Sequence, residues 1–242
     1  MSRKKVLYIG GFELPDKNAA AQRVIANAKI LRDLGYDSIF IGVDKTRKEE
    51  GLSIKYNFEG FDYFQIKYPQ SKPEWMKYLV SLKNILPFII NEGISHIIAY
   101  NYPSIALYRL RRFCNKNKLK LIGDCADWYE AKGGLIFKFI KNFDVYLRMK
   151  IVHPKLDGLI VISDYLYEYY KNRTNKLINL PPLVDLSMKK WELQRGEIKN
   201  KHISLIYAGW PFGVEKDRLD IIINILMQIK KEHQVNVLFS VL

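Results

Sequence analysis

Three carboxylates fall within the short stretch LIGDCADWYE: Asp124, Asp127 and Glu130. They follow the apolar run Leu119–Gly123, which reads as a strand, so they stand just past a strand end. A carboxylate there can serve as a catalytic base or accept the hydroxyl protons of a sugar, and Trp128 or Tyr129 offers a ring face for stacking. A solvated acidic loop or a helix cap accounts for the same spacing equally well. No histidine stands nearby at ligand spacing, so the cluster does not read as a metal site.

A second candidate is the turn GGFELPDKNAAAQR. Gly10 and Gly11 let backbone approach a ligand closely, and the helix that follows presents an N-terminus to anions. The turn lacks the GxGxxG spacing, and Asp44, at the end of the next strand, is too far along for a ribose contact. It is either an ordinary strand-to-helix turn or an anion site, and Arg23, in the first turns of the helix, is either a surface residue or an anion contact.

The third feature is charge. The chain of 242 residues carries a net charge of +14. Between Tyr108 and Lys155 there are twelve Lys/Arg against four Asp/Glu, a field that attracts anionic lipid, nucleic acid or phosphorylated substrates. A helix over Leu135–Val152 places Lys138, Lys141 and Arg148 on one arc, opposite Leu135, Phe139, Ile140, Phe143, Tyr146 and Leu147. The apolar side packs into a core in the ordinary case. With Arg109, Arg111 and Arg112 nearby, the basic side forms a surface for anionic membrane. No nucleic-acid module accompanies the charge, so no nucleic-acid partner is expected.

The elements that must position these residues alternate between strand and helix. Strands are expected at Val6–Ile9, Ser38–Val43, Phe61–Ile66, His96–Ala99, Leu119–Gly123, Gly158–Ile162 and Lys176–Leu180. Helices are expected at Ala19–Leu34, with Asn18 as cap, at Glu74–Asn91 broken at Pro87, at Ile105–Asn115, at Leu135–Val152 and at Asp164–Lys171 behind Ser163. That order predicts an α/β fold: a Rossmann-like parallel sheet with helices on both faces, binding ligands at the carboxyl ends of its strands. A proline pair and a polar run set boundaries at 1–185, a linker at 186–202, and a second unit at 203–242. This last unit reads as one β-α-β of an incomplete α/β domain, too small to bury its own apolar faces.

Composition is that of a globular protein, 48% hydrophobic and 26% charged. Cys114 and Cys125 read as buried reduced thiols in a cytosolic compartment. The apolar run after the basic N-terminus is too short for a signal peptide, and no stretch is long enough for a membrane-spanning helix.

Taken in order, VLYIGGF, AAAQRVIANAKILRDLGYDSIFIGVD, LIGDCADWYE, LDGLIVISDYLYEYY, LINLPPLVD and IYAGWPFGVEKDRLDIIINIL resemble GT-B glycosyltransferases of family 4. The resemblance covers essentially the whole chain: the N-terminal acceptor domain and the opening of the donor-binding domain. It implies a nucleotide-sugar donor, retention of anomeric configuration, and no metal or other cofactor. It places Gly10, Gly11, Gly209 and Lys216 at the donor, Asp124 and Asp127 at the chemistry, and Arg23, Tyr129 and Glu130 at the acceptor. Trp210 stands where the family carries an arginine, and the family's acidic E-x7-E motif would lie beyond Leu242.

The implied role is synthesis of surface polysaccharide or glycolipid on a glycan or polyprenyl-diphosphate-linked acceptor. The protein would then be cytoplasmic, at the inner face of the plasma membrane. The alternative is a truncated, non-catalytic or acceptor-binding half that needs a complementing C-terminal chain.

Overall fold

The computed structural model describes residues 3–49, 51–128, 134–188, 203–209, 218–233 and 236–241. They divide into two compact units, Met1–Leu186 and Ser187–Leu242. The first is an eight-stranded sheet in the order β3-β4-β2-β1-β5-β6-β7-β8. Its strands are β1 (Lys4–Gly10), β2 (Tyr36–Asp44), β3 (Tyr56–Phe58), β4 (Phe61–Lys67), β5 (His96–Tyr100), β6 (Lys120–Cys125), β7 (Gly158–Val161) and β8 (Leu177–Asn179). Only the β3–β4 pairing is antiparallel. The chain steps outward from β1 to β2 and β4, then returns to build β5 to β8 on the other side. The topological switch point therefore lies between β1 and β5, where open α/β sheets bind ligands.

Alternation along each strand divides the core. Leu7, Ile9, Ile39, Ile41, Ile97 and Leu121 face the helices α3 (Ile85–Asn91) and α4 (Ser104–Lys116). Val6, Tyr8, Phe40, Ile98 and Tyr100 face α1 (Ala19–Asp33). The strands are apolar on both sides because helices cover both sides. Helix α1 starts where Asn18 Oδ1 accepts the Ala21 amide at 2.9 Å, and it ends against Gly35 at φ +86°.

Pro87 does not break the helix in which it stands. The break falls earlier, between α2 (Lys72–Val80) and α3. Pro87 sits in the first turn of α3, where a backbone N–H would have no helical partner. A capping box starts α2: the Ser71 hydroxyl accepts the Glu74 amide while the Glu74 carboxylate accepts the Ser71 amide. Lys67 and the Gln70 amide hold that carboxyl down at about 2. The short strand β3 has no signature in the sequence, because YNF is too brief to show a period.

Helix α5 (Leu135–Leu147) gives way to a widened turn, Arg148–Val152, and then to one tight turn, His153–Lys155. The helical stretch expected over Leu135–Val152 is therefore present, with its last turn widened. His153 and Met149 pack with Tyr170 of α6 (Asp164–Tyr170). The Tyr170 hydroxyl donates to the Met149 carbonyl at 3.0 Å, so the His153 Nδ1–H donates to that hydroxyl at 3.0 Å. Burial, reinforced by the Arg148 charge, pushes the imidazole well below its ordinary 6.5.

The folded state thus refuses a proton that the unfolded chain accepts below about pH 6.5. Stability is fully present above that pH and falls as pH drops toward the folded value. In urea titrations from pH 7.5 to 5, His153→Gln should remove up to about 1.4 kcal/mol per pH unit of that slope. An unchanged slope would show that His153 titrates normally.

Cys114 and Cys125 are free and buried, and burial pushes both thiols up to about 12. The second unit contains β9 (Ile203–Tyr207), α7 (Leu219–His233) and β10 (Val237–Val241), with β9 and β10 parallel. Among the described residues, no helix is long and apolar enough to cross a membrane.

Candidate active site

Residues at the carboxyl ends of β1, β5 and β6 open into a cavity of about 1060 Å³. Gly11, Asn101 and Asp127 form its polar end, beside Asp144 and Arg148. Helices α2 and α5 supply side walls from Trp75, Met76, Leu79, Phe137 and Ile140. A cavity of this size at a switch point is where a sheet of this kind binds its ligand.

The two glycines have different reasons to be glycine. A Cβ on Gly10 would stand 2.6 Å from the Tyr100 carbonyl oxygen, so β5 leaves no room for a side chain. A Cβ on Gly11 would meet nothing within 4 Å, because Gly11 faces the cavity. Gly10→Ala should therefore cost about 1–3 kcal/mol by overpacking. Gly11→Ala should leave stability within about 0.5 kcal/mol and only narrow the site. Paired thermal melts separate the two, and equal shifts would contradict this geometry.

Asp124 and Asp127 also part company. Asp124 is fully buried, and Arg23 is 5% exposed. Arg23 grips the carboxylate from Nη2 at 2.8 Å and Nε at 3.1 Å, while Nη1 donates to the Leu180 carbonyl at 2.9 Å. The Tyr8 hydroxyl and the Asn27 amide donate to the other carboxylate oxygen. Burial pushes the Asp124 carboxyl up, and the Arg23 guanidinium opposes it. Burial also works against the guanidinium's charge, but the carboxylate outweighs it and raises Arg23. Burial, with the Asp124 charge, drives Tyr8 well above its ordinary 10.0.

Arg23 and Asp124 thus form a closed ion pair inside the fold. The pair joins α1, β6 and the segment after β8, and neither residue reaches the cavity. Both of these expected site residues lie inside the fold, away from the cavity lining.

Asp127, by contrast, is exposed and lines the cavity. Asn101 Nδ2 donates to it at 3.1 Å. Asn101 is itself held from several sides in a left-handed backbone conformation, φ 41°. Its side-chain oxygen accepts the Ala126 amide, its own amide donates to the Asp124 carbonyl, and its carbonyl accepts from Arg148. The strand-end position of Asn101 was visible in the sequence, but nothing there marked its partners.

Trp128 does not line the cavity. Its ring packs edge-on to Tyr169 at 4.7 Å, so it supports α6 instead. Tyr129, Glu130 and Lys216 lie outside the described residues. Gly209 follows β9 in the second unit, where a Cβ would crowd the Tyr207 ring.

The expected basic membrane face needs correction at Arg148. That residue is 1% exposed and donates Nη1 to the Asn101 carbonyl at 3.0 Å, so it cannot touch a membrane. Lys141 is half-buried and lines the cavity with its ammonium over the Phe137 ring. Lys138, Arg109 and Arg112 are exposed, and Arg111 is half-buried with Nε donating to the Lys155 carbonyl at 2.6 Å. Three aromatics of the apolar arc of α5 face outward: Phe139 is 73%, Phe143 52% and Tyr146 51% exposed. The helix turns this way because Val145, Met149 and Val152 are its buried side.

Among the described residues, no three His, Cys, Asp or Glu side chains come together as a metal site. No protein-family model matches the sequence, and no curated protein matches it in sequence. Solved structures do match in shape. The catalytic domain of starch synthase IV from Arabidopsis thaliana, bound to ADP and acarbose, superposes with a TM-score of 0.58 at 9% identity, over 100% of this chain and 68% of that one. A glycosyltransferase from Rickettsia africae gives 0.54 at 11% identity, over 99% and 69%. The kitacinnamycin glycotransferase gives 0.53 at 7% identity, over 100% and 66%.

The fold is that of the GT-B glycosyltransferases. The chain spans about two thirds of the length of these GT-B structures. The eight-stranded unit is a Rossmann-like α/β domain of GT-B type, and its cavity lies on the carboxyl edge of that GT-B sheet.

Proposed function

We propose that this protein is a glycosyltransferase that moves a sugar from a nucleotide-sugar donor to a glycan or lipid-linked acceptor. The observation that carries this reading is the exposed Asp127 carboxylate, held by Asn101 in the switch-point cavity of a GT-B fold. In the proposed reaction the acceptor hydroxyl oxygen bonds to the anomeric carbon. The bond from that carbon to the donor diphosphate breaks, and a nucleoside diphosphate leaves. Asp127 accepts the hydroxyl's hydrogen bond and orients it, and the proton passes to the departing phosphate oxygen. Such a reaction retains configuration at the anomeric carbon.

Gly11 leaves space for the donor phosphates to approach backbone, and Gly209 and Lys216 are assigned to the donor in the second unit. The task is positioning and charge stabilisation, and no metal or other cofactor is assigned to it. Incubating the protein with a panel of nucleotide sugars and lipid and oligosaccharide acceptors should release nucleoside diphosphate in step with glycosylated product. Absence of turnover across the panel counts against the reading.

The outward aromatics of α5, with Lys138 and Lys150 exposed beside them, support work at an anionic membrane surface. This suits surface polysaccharide or glycolipid synthesis on the inner face of a plasma membrane. Equal recovery in the supernatant with and without phosphatidylglycerol vesicles would remove that part.

A second reading has its own support. On α7, Ile222, Ile225 and Ile229 share one face and are 36%, 49% and 37% exposed. That face favours completion of the donor side by further polypeptide. Sustained transfer by these 242 residues alone would overturn it.

A further inference from the structure

The cavity changes character along its length. At the strand ends Gly11, Asn101 and Asp127 present polar groups suited to hydroxyls. Between α2 and α5 the walls are apolar side chains: Trp75, Met76 and Leu79 on one side, Phe137 and Ile140 on the other. Trp75 stands edge-on to Tyr68 at 5.4 Å and to Tyr78 at 5.8 Å, which fixes that wall. Met76 stays 52% exposed and Phe137 43%. Apolar surface of this kind gains by covering, and hydroxyl-rich ligands cover it poorly.

Charge in the cavity leans positive. Lys72 on α2, Lys141 on α5 and Arg148 at its polar end face two carboxylates. Both carboxylates already accept protein hydrogen bonds, Asp144 from Ser104 and Asp127 from Asn101.

We propose that the groove between α2 and α5 binds the hydrocarbon chain of an anionic, single-chain lipid phosphate. Lys72 and Lys141 flank its phosphate, and its reactive end lies at Asn101 and Asp127. This rests on the glycosyltransferase reading in taking the lipid phosphate as the acceptor's anchor. The binding itself requires no donor and no turnover.

The test uses the full chain and n-alkyl phosphates of four, six, eight and ten carbons, each below its micelle-forming concentration, with inorganic phosphate as a separate arm. Affinity is measured by calorimetry. Each methylene that enters the groove should tighten binding by up to about fourfold, so affinity should climb steeply with length while inorganic phosphate binds weakly. Met76→Asp with Ile140→Asp should flatten that climb. Both side chains are already partly exposed, so this variant keeps its fold. Phe139→Ser with Phe143→Ser alters only the outward ridge of α5 and should keep the climb.

A flat profile in the unaltered protein overturns the proposal. So does a profile lost only in the Phe139 and Phe143 variant, or phosphate binding as tightly as the decyl ester. A steep profile without nucleotide-sugar turnover leaves the groove standing and removes the transferase reading. Turnover on water-soluble acceptors with a flat profile does the reverse.

Discussion

Asp124→Asn should be among the most destabilising single substitutions in the chain, at about 3–5 kcal/mol. The amide cannot neutralise Arg23, which is left as a charge at 5% exposure with its strongest partner gone. Arg23→Met should cost a similar amount from the other side, because Asp124 then keeps only the neutral donors Tyr8 and Asn27. At this chain length the loss corresponds to a fall in melting temperature of roughly 6–20 °C. The double variant should recover part of the summed loss, since neither charge is then stranded. Additive losses, or shifts under 2 °C, would mean that the pair is not the closed unit its geometry describes.

Asp127→Asn should do the opposite. It leaves the fold in place, because the new amide oxygen still accepts from Asn101 and the site is exposed. Surface changes of this kind stay within about 0.5 kcal/mol. Under the proposed function, turnover should fall by about 10²-fold, the usual loss when a reacting group is no longer held in place. Donor KM should change little, because Asp127 is placed at the acceptor hydroxyl. Asp127→Glu, which keeps the charge at a longer reach, should restore part of the rate. Stopped-assay kinetics on the three proteins decide it. Turnover within tenfold of the unaltered protein for Asp127→Asn would move the chemistry elsewhere.

These contrasting expectations for two aspartates three residues apart mark where the sequence was legible. The alternation of strands and helices gave the sheet and its switch point, because buried parallel strands must be short apolar runs between amphipathic helices. The same pattern put Gly11 and Asp127 on the ligand-binding edge. It could not separate Asp124 from Asp127. That distinction depends on Arg23, a hundred positions away in sequence, turning inward from α1 instead of out to solvent.

Helix α5 failed for a related reason. Periodicity names two faces of a helix without saying which one meets the core. Val145 and Met149 settled that, and they drew Arg148 inward with them. The polar centre of the cavity was hidden too. Asn101 gains its meaning from β6 and from the turn after α5, and neither contact has a local signature.

The sheet closes at both margins on strands of three residues, β3 on one side and β8 on the other. Exposed strand edges recruit other chains, and long flat ones seed aggregation. Beyond β8 the chain runs directly into Pro181 and Pro182, which have no backbone N–H to offer a visiting strand. A sheet of eight strands, with most of its pairing capacity spent inside, therefore presents little template for fibril growth. Replacing the proline pair with β-branched residues would extend that template along the β8 margin.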